Sequence, residues 1–141
     1  MTTTELSRHA TAGMRGVSPL RLAVAAAGAV ALNLIALGVG SMAGASWETG
    51  APESIDALTI TVATLLPLLL AGVVTGLIAR RRPSFRRTAA WIGLAFGFAG
   101  LPMPFIAAGD LATAWALAAM HVITAVAWFI ALMPRLGNTR V

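Results

Sequence analysis

The sequence predicts an all-α fold, an integral membrane four-helix bundle in which the chain runs up-down-up-down. Hydrophobic residues make up 58% of the chain and charged residues only 11%, and the mean hydropathy of +0.85 lies outside the range of soluble domains. Cutting the sequence at its charged residues also leaves four long uncharged windows. Each window is long enough to cross a bilayer as a helix.

These windows give four predicted spans within a domain covering 21–135, at about residues 22–46, 57–79, 88–108 and 111–134. A helix needs about 20 residues to cross a hydrocarbon core of about 30 Å. The windows lack the alternating pattern of barrel strands, so helices are the structure that satisfies their backbone groups in lipid. Residues 1–20 and 136–141 are predicted to be tails.

The positions of the arginines predict that both termini lie in the cytoplasm. Arginines occur before the first span (Arg8, Arg15, Arg21), between the second and third (Arg80, Arg81, Arg82, Arg86, Arg87) and after the fourth (Arg135, Arg140). The other two loops hold none. Because basic loops stay on the cytoplasmic side, we expect both tails and residue 84 inside and residue 53 outside.

The first window also resembles a signal peptide, because a basic N-terminus and an apolar run precede Ala43, Gly44 and Ala45. A membrane anchor is the favoured interpretation, since this apolar stretch exceeds the ~7 to 15 residues usual for the core of a signal peptide. Cleavage would also leave an odd number of spans and reverse the predicted orientation. We therefore expect the first span to be retained.

The connections between the later spans are short, which predicts antiparallel neighbours. Pro102 and Pro104 lie near the end of the third span. Proline lacks an amide hydrogen and clashes with the preceding turn, so we expect these residues to kink or end that span.

Several classes of chemistry are excluded by the sequence. The chain has no cysteine, which excludes disulfides and thiolate sites, and it shows no catalytic serine, zinc-protease or phosphate-loop motif. Its net charge of +5 comes from arginines beside apolar segments, which fits membrane topology and not nucleic-acid binding. We expect no catalytic residues, no metal and no cofactor.

Small residues recur on single faces of the spans. The predicted packing glycines are Gly72 and Gly76 in the second span and Gly93, Gly97 and Gly100 in the third. Such faces allow close approach of another helix, either within the bundle or in a homo-oligomer or membrane-protein partner.

A polar cluster is predicted near the bilayer centre. His121, Asn33 and Thr64 lie near the middle of their windows, and Thr124 shares a helix face with His121. We expect His121 to face the bundle interior, where it would bond Asn33 or a threonine as a structural residue, or would relay protons or bind a ligand. Haem ligation is a third use, which would require a second axial ligand from Met103, Met120 or a second subunit.

Two further sets of charged residues have a structural interpretation and a functional one. Asp110 is expected to cap the fourth span, with a role as proton acceptor at the outer mouth as the alternative. The arginines of the middle loop are expected to set topology first and to contact anionic lipids second.

The basic turn after the second span, the segment from Leu101 to Phe105 and the Met120 and His121 pair resemble an uncharacterised actinobacterial family of small four-span membrane proteins. The resemblance implies a multi-pass protein of the bacterial plasma membrane and supplies no functional residues. Small multidrug exporters also have four spans, but they use a glutamate in the first span, where this chain has none between Arg21 and Glu48.

Three functions remain open on this basis. The first is a non-enzymatic accessory or interaction module that packs through its small-residue faces. The second is a small-solute or proton-coupled transporter that uses His121, and the third is a haem-binding electron carrier.

Overall fold

The computed structural model describes residues 17–133, which fold into five helices. The helices are α1 (Pro19–Met42), α2 (Ala57–Arg81), α3 (Phe85–Ala99), α4 (Pro102–Ala107) and α5 (Leu111–Leu132). Since α3 and α4 together make one span, four segments of the described chain are long and apolar enough to cross a membrane. The predicted all-α bundle is confirmed, and the chain is a multi-pass membrane protein.

The first span begins and ends earlier than the predicted 22–46. The Ser18 side chain caps α1 by accepting from the amide of Arg21, and Pro19 suits the first helical position because no donor is needed there. The helix ends at Met42, just before Gly44 adopts a φ of +85° that favours glycine. The predicted tail 1–20 therefore included the start of α1, while residues 1–16 and 134–141 lie outside the described part.

The third span is interrupted where its prolines predicted a break. α3 begins at Phe85, earlier than the predicted residue 88, and ends at Ala99, and α4 begins at Pro102. Neither Pro102 nor Pro104 can donate the amide bond that would continue α3. The other two spans differ from the windows only at their basic ends, since α2 continues to Arg81 and α5 ends at Leu132.

α5 is the central helix of the bundle. It packs against α1, α3 and α4, whereas α2 packs mainly against α1. In its most apolar stretch 39% of the residues are buried, against 17 to 28% in the other spans. α2 and α3 follow each other through a short turn but share little contact. The four spans therefore leave a gap between α2 and α3.

Close approach of α3 to α5 depends on two glycines. A Cβ at Gly93 would overlap the indole of Trp128, and a Cβ at Gly97 would overlap the Ala125 side chain. Trp128 cannot easily move away, because its Nε1 donates to the carbonyl of Ala89 at 2.9 Å. Both glycines therefore pack within the chain.

The other predicted packing glycines divide between the interior and the surface. A Cβ at Gly72 would overlap Leu22 of α1, and one at Gly100 would lie 3.2 Å from Cδ2 of His121. At Gly76 a Cβ would meet only one side-chain carbon, at 3.9 Å. Four of the five glycines thus face another helix of the same chain, and the small-residue faces are used inside the bundle.

Gly93→Ala should destabilise the protein, because the added methyl has no space against an indole held by its own hydrogen bond. The expected cost is about 1 to 3 kcal/mol, as for other overpacked sites. The matched control is Gly28→Ala in α1, where a Cβ meets nothing within 4 Å and the expected change is within about 0.5 kcal/mol. Reversible unfolding in mixed micelles measures both, and equal stability of the two variants would contradict this packing.

Candidate functional site

The gap between α2 and α3 is an apolar cleft of about 600 Å³. α2 and α3 form its walls, and α5 with Asn33 of α1 forms its floor. Ala63 and Ala71 of α2, and Ile92 and Phe96 of α3, line the walls and are exposed. The cleft is therefore accessible from the side of the bundle, where lipid would lie.

The cleft exists because its two walls pack on different neighbours. The glycines of α3 face α5, while Gly72 of α2 faces Leu22 of α1. Where α2 and α3 could have met, α2 presents the small side chains of Ala63 and Ala71. These two positions leave space beside α3, and the larger Ile60, Pro67 and Leu68 of α2 also line the cleft.

Three polar side chains meet at the floor of the cleft. The Asn33 amide nitrogen donates to Thr64 Oγ1 at 2.9 Å and to Thr124 Oγ1 at 3.1 Å. Asn33 is only 2% exposed, and Thr64 is only 4% exposed. These bonds join α1, α2 and α5 in the bundle interior, and the sequence placed Asn33 and Thr64 at similar depth.

The direction of these hydrogen bonds is fixed by the threonines. Thr64 Oγ1 donates its single proton to the carbonyl of Ile60, and Thr124 Oγ1 donates to the carbonyl of Met120. Each hydroxyl can therefore only accept from Asn33, so both contacts must come from the amide nitrogen.

This arrangement leaves the other end of the Asn33 amide without a donor. Among the described residues, Asn33 Oδ1 is buried and has no hydrogen-bond partner. A buried acceptor without a donor costs roughly 1 to 3 kcal/mol. Asn33 also lines the cleft, so a bound molecule that reached this atom would supply its missing donor.

A proline supplies a second acceptor in the cleft. Pro67 lies inside α2 and has no amide hydrogen, so the carbonyl four residues earlier, on Ala63, loses its helical donor. Both residues line the cleft. The sequence shows Pro67 near the centre of the second span, and this spacing is the signal that could have identified the Ala63 carbonyl.

His121 lines the cleft but does not join the asparagine cluster. Its ring is exposed, and Nδ1 lies 2.9 Å from the carbonyl of Leu117 in the same helix. The expectation that His121 would be interior and bonded to Asn33 or a span-two threonine is therefore corrected. The physical reason is that the Asn33 amide nitrogen donates both of its protons to Thr64 and Thr124. The Leu117 carbonyl lies within hydrogen-bonding distance of the His121 ring.

The bond to Leu117 fixes the tautomer of the neutral ring. A carbonyl only accepts, so Nδ1 carries the proton and Nε2 keeps its lone pair. Gly100 faces this edge of the ring, and a Cβ at Gly100 would lie 3.7 Å from Nε2. Nε2 is therefore a third acceptor on the cleft wall.

Asp110 lies away from this cluster, about 16 Å along the axis of α5 from His121. Its Oδ1 accepts from the amide of Thr113, which confirms the predicted cap. Its Oδ2 accepts from the Ser46 hydroxyl and amide and from the Thr113 hydroxyl. Hydrogen bonds from Ser46 and then Thr113 hold the pKa of Asp110 well below its usual range.

The arginines of the middle turn differ in their exposure. Arg80, Arg81, Arg82 and Arg87 are exposed at one end of the bundle, and their contact with anionic lipids stays a prediction. Arg86 is half-buried and donates to the carbonyl of Leu132 at 3.3 Å. It therefore serves packing as well as the predicted topology.

Arg21 reaches the same end of α5 and was not identified from the sequence as a packing residue. Its guanidinium donates to the carbonyl of Met133 at 2.9 Å and to the carbonyl of Ile130. The last turn of α5 has no basic residue of its own. That absence is the signal that could have predicted arginines from other helices at its carbonyls.

Comparison with known proteins gives one match. The sequence profile of DUF6069, a family of unknown function, matches residues 14–138. The chain belongs to this family. No curated protein and no solved structure matches it.

Membership of DUF6069 agrees with the resemblance to a family of unknown function and assigns no residue a role. The actinobacterial origin stays a prediction. The function of this DUF6069 member therefore has to be argued from the cleft and the atoms that line it.

Asp110→Asn should lower the thermal unfolding midpoint, because an amide nitrogen in place of Oδ2 cannot accept from Ser46 and Thr113. The matched control is Asp56→Asn in the cap of α2, where the amide of Thr59 donates to Oδ1 and asparagine caps equally well. A depressed pKa means that the contribution of Asp110 persists above about pH 4 and is lost as the pH falls further. Equal midpoints for both variants at neutral pH would contradict this role.

Proposed function

We propose that the protein is a membrane-embedded binding protein of the bacterial plasma membrane, and that its α2–α3 cleft takes up a small, mainly apolar molecule from the bilayer. The observation that carries this proposal is the buried Asn33 Oδ1, which lacks a donor among the described residues, in the floor of an apolar cleft. The bonds to Thr64 and Thr124 account for the amide nitrogen of Asn33 and leave its oxygen unexplained by packing.

The size and lining of the cleft support the proposal. Ligand pockets are typically about 300 to 1,000 Å³, mostly apolar, with a few polar groups that orient the ligand. The cleft has about 600 Å³, apolar walls and a polar floor at Asn33, Thr64 and Thr124. Its lateral opening suits a molecule that arrives dissolved in lipid.

The interaction-module hypothesis gains less support from the same helices. It depended on small-residue faces that would pack with a partner, but Gly72, Gly93, Gly97 and Gly100 each face a helix of this chain. An accessory role would have to use another surface.

Transport is the second candidate, and His121 favours it. An exposed imidazole on a cleft wall can exchange a proton, which a proton-coupled carrier requires. Saturable uptake by proteoliposomes that His121→Gln abolishes would distinguish a carrier from a protein that only binds.

The haem hypothesis requires a second axial ligand beside His121. Met120 is the neighbouring residue of α5, and neighbouring helical positions point about 100° apart. These two side chains of one helix therefore cannot take opposite faces of one iron.

Filling the cleft tests the proposal. Ala63→Phe places a phenyl ring in the cleft, whereas Val62→Phe places the same ring on the adjacent exposed position outside it. The probe is 11-bromoundecanol, whose bromine quenches tryptophan fluorescence, in a background where Trp47, Trp91 and Trp115 are phenylalanine. Trp128, which lines the cleft, then reports occupancy.

We expect saturable quenching in this background and in Val62→Phe, and at least about tenfold weaker binding in Ala63→Phe, because the ring occupies the ligand volume. Quenching that rises linearly and equally in all three proteins would show that the probe dissolves in the micelle without entering a site. That result would contradict the proposal.

A further inference from the structure

We infer that the ligand of this cleft presents a hydrogen-bond donor, as an alcohol or a primary ammonium does, and is not an anion. The inference rests on the proposed function and adds the chemical class of the ligand. Its basis is the presence of three acceptors on residues that line one apolar cleft, namely Asn33 Oδ1, the Ala63 carbonyl and His121 Nε2.

The donors at the centre of the cleft are already used. Asn33 gives its amide protons to Thr64 and Thr124, whose hydroxyls give theirs to backbone carbonyls of their own helices. The Trp128 indole N–H is bound to the carbonyl of Ala89. His121 uses its Nδ1 proton on Leu117. A ligand beside Asn33 therefore meets oxygen and nitrogen lone pairs, whereas the hydroxyl residue Thr75, which also lines the cleft, lies about 16 Å along the axis of α2 from Thr64.

The absence of an arginine from the described lining of the cleft also argues against an anionic ligand. In the described part of the chain, no arginine is among the residues that line the cleft, and the exposed basic cluster lies at the end of the bundle. A carboxylate or phosphate placed beside Asn33 Oδ1 would lose its hydration and face another acceptor. Burying such an unpaired anion costs far more than burying a hydroxyl.

A hydroxyl has the opposite balance, and an ammonium, although it carries an unpaired charge, brings N–H donors to these acceptors. Its proton can satisfy Asn33 Oδ1, which has no other donor among the described residues. An ammonium has three donors, and a neutral alcohol has one donor and also accepts. The apolar walls then hold the hydrocarbon part of the molecule.

Four probes with the same brominated eleven-carbon tail separate the head-group chemistries, measured as quenching of Trp128 in the single-tryptophan background. They are 11-bromoundecanol, 11-bromoundecylamine, 11-bromoundecanoate and 11-bromoundecyltrimethylammonium. The last carries a positive charge but no N–H donor, so it distinguishes hydrogen bonding from charge.

We expect the alcohol and the primary amine to bind about tenfold more tightly than the carboxylate and the trimethylammonium probe, at equal mole fraction in the micelle. One or two hydrogen bonds of roughly 1 kcal/mol each inside a membrane protein give a ratio of this size. Equal binding of all four probes, still abolished by Ala63→Phe, would overturn the inference and leave the proposed function intact. Tightest binding of the carboxylate would also overturn it.

The acceptor on His121 has its own test. His121→Phe removes Nε2 and keeps a ring of similar size on an exposed position, so the fold should persist. We expect the preference for alcohol over trimethylammonium to fall about threefold in His121→Phe and to be retained in His121→Gln, whose amide oxygen accepts. An unchanged preference in both variants would contradict the role of His121, and absence of saturable binding in the parent protein would contradict both proposals.

Discussion

The side-chain amide of Asn33 is the constraint on which the interior of this bundle depends. In a membrane, a polar side chain must find its partners inside the protein. Asn33 finds them on two other helices, in Thr64 and Thr124, and so sets the depth at which α1, α2 and α5 meet. Both threonines donate their own protons within their helices, which leaves the amide oxygen without a donor among the described residues.

The separation of α2 from α3 follows from the helices on which they pack. α3 packs on α5 through Gly93 and Gly97, and α2 packs on α1 through Gly72. Because each wall packs on a different neighbour, the two walls are left apart, and the polar floor lies at the bottom of the gap. The cleft is thus a consequence of where the glycines are, and its chemistry is a consequence of how one asparagine is bonded.

Much of the fold could be predicted from the sequence, because span length, charge and proline position act locally. Equal depth along the spans was enough to bring Asn33 to Thr64. The cleft could not be predicted, since it depends on distances between helices. The orientation of His121 could not be predicted either, because its ring could hydrogen-bond either the Leu117 carbonyl or Asn33. The position of Arg21 at the end of α5 depends on tertiary packing in the same way.

In the proposed function, a ligand supplies the donor that the Asn33 carbonyl oxygen lacks among the described residues. Isotope-edited infrared spectroscopy measures this directly, with ¹³C at the side-chain carbonyl of asparagine in an Asn138→Gln background, where Asn33 is the remaining asparagine. The account predicts a carbonyl band at the frequency of a free amide in the unliganded protein, moving to lower frequency when 11-bromoundecanol binds. A band already at the hydrogen-bonded frequency and unchanged by the alcohol would contradict it.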